Sequence, residues 1–63
     1  MQAYQLRVID EYAELTHKVN TLQQFLFTDK SKDILPEEKK LLTSQHNIMR
    51  DYLSVLRERM RLW

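Results

Sequence analysis

The sequence predicts an all-α fold, an antiparallel two-helix hairpin that assembles into a four-helix bundle or larger homo-oligomer. Three observations carry this. Apolar residues recur seven apart in two long stretches, a polar segment ending in the only proline separates them, and no glycine interrupts either. At 63 residues there is room for one domain, spanning 1–63. Chains this short rarely gain more than about 3–5 kcal/mol from their own core. With no cysteine and two histidines, disulfide and zinc staples are not expected, which leaves oligomerisation.

Helix one is predicted over about residues 2–28. Met1, Val8, Leu15 and Leu22 form one column, and Gln5, Tyr12, Val19 and Leu26 another. The two alternate in steps of three and four, the seam of a packed helix or coiled coil. Arg7 with Glu11, and Glu14 with Lys18, are spaced to pair on the exposed side. The run from Thr28 to Asp33 then gathers short polar side chains that compete for backbone hydrogen bonds, so the turn is placed at 29–35.

Helix two is predicted over 36–62. Pro36 suits a first helical turn, where its missing N–H has no partner to lose, and Glu37 and Glu38 complement the positive end of the dipole. Arg57, Arg59 and Arg61 suit the negative end. Its apolar residues fall in the columns Leu42, Met49, Leu56, Trp63 and Leu41, Ile48, Val55, Leu62, with Gln45, Tyr52 and Arg59 between them. So short a connection makes the helices antiparallel. Pairing residues whose numbers sum to 64 sets Val8 against Leu56, Leu15 against Met49, Leu22 against Leu42, Tyr12 against Tyr52, Gln5 against Arg59 and Val19 against Gln45. The same register brings Asp10, Glu11 and Glu14 toward Arg50 and Arg57.

A single hairpin cannot cover all of this apolar surface. Leu41, Ile48, Val55 and Leu62 are the candidate oligomer interface, with Leu53 and Met60 at the edge of the same broad arc. Leu6, Ile9 and Ala13 form a separate small patch on helix one. Together with Arg57, Arg59, Arg61 and Trp63, that patch is the candidate contact for a partner or ligand.

The chemistry-bearing residues do not assemble into an active site. Glu14 and His17 have a Glu-x-x-His spacing found in di-iron bundles, but His17 lies opposite the seam and the motif has no second copy. His17 and His46 are both expected to project away from the seam, with no nucleophile or orienting group beside either. The expectation is therefore no enzyme, no metal and no cofactor. Net charge is +1, from ten basic and nine acidic residues, which supplies no field for nucleic acid or anionic lipid. No apolar run approaches the roughly 18–20 residues that span a bilayer. The first residues also lack the basic-then-apolar layout of a signal peptide. A soluble cytoplasmic protein is expected.

Arg7-Val8, Glu11, Glu14-Leu15, Lys18, Leu22, Phe25, Leu35-Pro36, Leu41-Leu42, Gln45, Met49, Tyr52, Leu56 and Arg59 form one pattern across nearly the whole chain. It resembles a family of very small helical-hairpin proteins of tailed bacteriophages and prophages, relatives of an uncharacterised protein of crAss-like phage. The resemblance implies a phage accessory protein acting in the bacterial host cytoplasm, and no established activity. Three roles follow: an oligomeric helical binding module that blocks a host protein, such as one of an antiviral defence system; an oligomeric sponge that holds a nucleotide-type host signal in pockets between subunits; or a structural or regulatory assembly component. A basic, aromatic-lined pocket at a subunit junction would favour the sponge, and an uncovered apolar face with a charged rim the blocking module.

Overall fold

Helix α1 runs Ala3–Leu26 and helix α2 Pro36–Arg61 in a computed structural model that describes residues 1–63. No strand forms. The start of α1 is secured by Gln5, whose Oε1 accepts the Gln2 backbone N–H at 2.8 Å. Pro36 occupies the first turn of α2, followed by Glu37 and Glu38, with Arg59 and Arg61 in its last turn. Charge and dipole thus agree at both ends of α2.

Between the helices lies a single 3-10 turn, Asp29–Ser31. Ser31 is the residue that ties it down. Although polar, it is 3% exposed, and its hydroxyl lies 3.3 Å from both the Leu26 and the Thr28 carbonyl oxygens. It offers a donor to the Leu26 carbonyl, one of those the end of α1 leaves without a helical partner, while the Thr28 carbonyl also accepts the Ser31 backbone N–H at 3.4 Å. The chain therefore reverses without glycine, and no residue adopts a positive φ.

The hairpin is a rod of 46 × 15 × 14 Å with a narrow core. Val8, Leu15 and Val19 of α1 bury against Leu56 of α2, which is 0% exposed, and Tyr12, Met49, Leu53 and Met60 pack around them. On α1 this is the expected seam. On α2 only one expected column, Leu42, Met49 and Leu56, faces inward. The second inward column is His46, Leu53 and Met60, whereas Gln45, Tyr52 and Arg59 are exposed.

Helix α2 is thus rotated from the expected register, and three expectations are corrected with it. His46 does not project away from the seam but is buried in it; Leu53 and Met60 line the core rather than the outer arc; and Arg59 does not face Gln5 across a seam. The physical reason is desolvation. Burying Leu53 and Met60 in place of Tyr52 and Arg59 removes more apolar surface from water and leaves a guanidinium hydrated. The compensating cost is one buried imidazole.

Ion pairing contributes little to this arrangement. The one side-chain ion pair is Arg61 Nη1 with Glu58 Oε2 at 2.9 Å, within α2 and exposed, so the expected pairs on α1 and between the helices do not close. What joins the helices by hydrogen bond is the Tyr52 hydroxyl, which donates to the Glu11 carboxylate. That bond holds the Tyr52 hydroxyl in its protonated form and raises its pKa, with desolvation and the Glu11 charge adding to the rise and Arg59 opposing it.

Candidate functional site

A cavity of about 270 Å³ opens where the last turn of α1 meets the first half of α2. Its walls are Gln23, Leu26 and Phe27 from α1 and its C-terminal cap, and Lys39, Thr43, His46, Asn47 and Arg50 from α2. The spacing on α2 explains the convergence. Steps of three and four keep Lys39, Thr43, His46, Asn47 and Arg50 along one side of the helix. The Thr43 hydroxyl donates to the Lys39 carbonyl at 2.8 Å, turning the threonine toward its own helix.

The electrostatics of this cavity are one-sided. Two permanent cations, Lys39 and Arg50, line it, no carboxylate does, and neither cation is in an ion pair. Two aromatic rings, Phe27 and His46, meet edge to face with centroids 6.4 Å apart and planes at 90°, a favoured geometry for a ring pair. His46 is 4% exposed and its Nε2 is buried without a hydrogen-bond partner. Amide groups of Gln23 and Asn47 complete the wall. Such a cavity offers bidentate and point-charge recognition of an anion beside aromatic surface.

The expected interface strip lies elsewhere. Leu41, Ile48, Val55 and Leu62 are 71%, 66%, 54% and 86% exposed, a line of aliphatic side chains along one face of α2. Leu6 and Ile9 are exposed as well. By helix geometry Leu6, Ile9 and Ala13 lie about 140–160° around α1 from Glu11. Because Tyr52 reaches Glu11 from beside the strip, this patch occupies the opposite face of the hairpin.

The expected arginine cluster does not form a single site. Arg59 lies in a shallow depression with Ser54, Val55, Glu58 and Leu62, Arg61 is held by Glu58, and Arg57 is exposed. Trp63 meets Tyr4 edge to face at 6.2 Å, closing the open end of the hairpin. None of the four reaches the cavity. The cavity residues carry one signal in the sequence: His46 lies four after Leu42 and three before Met49, at seam spacing, despite its polar side chain. No group of three metal-ligating side chains converges, and no helix is long and apolar enough to cross a membrane.

Comparison with known proteins places the chain. The model of the Sequestin family matches residues 2–62. An uncharacterised 7.5 kDa protein from the denB-rIIB intergenic region of Enterobacteria phage T4 is 41% identical over 59 residues, covering 94% of this chain and 92% of the relative. No solved structure matches. The chain belongs to the Sequestin family, and the phage kinship expected from the sequence holds.

Proposed function

We propose, starting from membership in the Sequestin family and its phage setting, that this protein is a phage accessory protein that works by stoichiometric capture rather than catalysis, in the cytoplasm of the bacterial host. The captive best suited to its geometry is a nucleotide-type anion held in the turn-end cavity. The family name itself is that of a sequestering protein. The observation that carries the reading is the wall composition: Lys39 and Arg50 unpaired, no carboxylate, and the Phe27 and His46 rings alongside. A phosphate needs the cations and hydrogen-bond donors, and a base needs an aromatic or guanidinium face. At about 270 Å³ the cavity lies just below the range of about 300–1,000 Å³ typical of small-molecule sites, so part of such a ligand would stay in solvent.

Calorimetric titration with a panel of purine and pyrimidine nucleotides, and with inorganic phosphate as the minimal anion, tests the reading. The expected result is one ligand per chain, weakened at least about tenfold, or roughly 1.4 kcal/mol, by Arg50→Gln. Equal binding by wild type and Arg50→Gln would remove the cavity from consideration.

A second reading, blockade of a host protein, is favoured by one observation. The patch of Leu6, Ile9 and Ala13 is uncovered, on the hairpin face away from the Tyr52–Glu11 bond. Under that reading Leu6→Glu with Ile9→Glu abolishes recovery of a host protein while leaving nucleotide titration unchanged.

A further inference from the structure

The wall of the turn-end cavity holds one group whose charge can change near neutral pH. Of the wall residues only Lys39, Arg50 and His46 are titratable, and the first two types are cations throughout the neutral range. Imidazole is the side chain whose charge ordinarily changes between pH 5 and 8. His46 is also 4% exposed, and its Nε2 is buried with no hydrogen-bond partner. Buried polar atoms in folded chains are nearly always paired, so this one marks a contact that the chain itself does not complete.

We propose that His46 takes up a proton as the cavity takes a phosphate-bearing anion, so that capture is proton-linked and tighter at lower pH. This rests on the proposed capture of such an anion and adds the protonation state in which it occurs.

The surrounding charges dictate the direction. In the free chain an imidazolium would be a third cation beside Lys39 and Arg50, with no carboxylate in the wall to offset it. Its Nε2–H would be a donor in the seam with no acceptor. Helix α1 contributes no titratable side chain to the wall, and neither does the 3-10 turn. A phosphate reverses both conditions, because its charge offsets the cations and its oxygens accept from the ring. The χ2 torsion of histidine is broad and roughly two-fold, so a half-turn exchanges the nitrogen-bearing and carbon-bearing edges of the ring without moving the backbone. Phe27, which meets that ring edge to face, belongs to the C-terminal cap of α1 and is 75% exposed, so it has room to yield. The proton also sorts ligands: a phosphate dianion gains more from a third cation than a singly charged carboxylate does.

Calorimetric titration with adenosine 5′-monophosphate tests the proposal. Its phosphate, with a second pKa of about 6, is already a dianion at pH 7.5, so a proton taken up there goes to the protein. Across buffers of different ionisation enthalpy, the slope of the observed heat should report uptake of about 0.5–1 proton per ligand. Affinity should fall about fivefold from pH 7 to pH 8.5. His17→Gln should leave both unchanged. The α-amino group, which also titrates in this range, lies the length of α1 away, roughly 35 Å. His46→Gln keeps an amide donor but cannot titrate, and it should bind with neither proton uptake nor pH slope. Circular dichroism checks that this variant stays helical; if it does not, the buffer series on wild type and His17→Gln decides alone. Binding by wild type with no net proton uptake, or uptake that vanishes in His17→Gln, overturns the proton link while capture stands. Absence of adenosine 5′-monophosphate binding overturns the link as well, and silence across the whole nucleotide panel overturns capture with it.

Discussion

Replacing His46 by leucine should make the hairpin more stable while weakening what it captures. The side chain is 4% exposed in the seam, and its Nε2 has no partner. Leaving one polar atom buried and unsatisfied costs about 1–3 kcal/mol. Leucine removes that atom and continues the column of Leu42, Met49, Leu53, Leu56 and Met60 with a side chain of similar size. In a domain of this length each kcal/mol moves the melting temperature by about 4–8 °C, so a rise of about 5–20 °C is expected. Thermal melts followed by far-ultraviolet circular dichroism at one fixed protein concentration measure it, the concentration being fixed because self-association would shift the midpoint. Two controls frame the result. His17→Leu, at an exposed position, should change stability by no more than about 0.5 kcal/mol, and His46→Ala should lower the midpoint by leaving a hole. A fall in the midpoint of His46→Leu would refute the reasoning, because it would mean that Nε2 has a partner whose loss outweighs the gain. A rise accompanied by loss of nucleotide binding is the expected pattern for a residue kept for function against stability.

Leu56→Ala should cost about 2–5 kcal/mol, which is comparable to the whole stability of so small a domain. Circular dichroism should therefore show most of the helix lost, and a cooperative melt near that of the wild type would contradict the core described. Tyr52 is held protonated by Glu11, so its folded-state pKa lies above its unfolded value of about 10. The sign of the linkage follows: the contribution is fully present below about pH 10 and is lost as pH rises through the folded value. Ultraviolet phenolate titration should find one late-titrating tyrosine, moved back down by Glu11→Ala, which removes the acceptor; an unchanged titration in that variant would contradict the cross-helix bond. Replacing Arg57 and Arg61 by glutamine should cost no more than about 1 kcal/mol, since the Arg61–Glu58 pair is exposed. Loss of cooperative unfolding in that double variant would contradict this.

Much of the fold was legible because periodicity on α1 leaves little choice. Val8, Leu15 and Val19 lie on the one apolar stripe that runs the length of α1, whereas Leu6, Ile9 and Ala13 make only a short patch near its start, and the core formed on the stripe. The turn was legible for the same local reason, Pro36 and the polar run before it. Helix α2 was harder to read because its apolar arc is broad enough to hold two seams. Which stripe turns inward is then decided by tertiary terms, the desolvation of Arg59 against that of His46, and neither is a property of spacing. The exposed strip of Leu41, Ile48, Val55 and Leu62 was legible as surplus apolar surface. The cavity was not, because it depends on Phe27 past the end of α1 meeting His46 across the turn, a contact set by how Ser31 closes the reversal.

The claim that this hairpin captures a phosphate-bearing small molecule is tested most directly by what stays bound to it. Wild type and Lys39→Gln with Arg50→Gln are produced in bacterial cytoplasm, purified, and denatured, and the released small molecules are identified by mass spectrometry. Capture predicts a phosphorylated compound released by the wild type, close to one per chain, and lost from the double variant while its helicity is retained. Release of the same compound by both proteins, or of none by the wild type even after incubation in concentrated host extract, would contradict it.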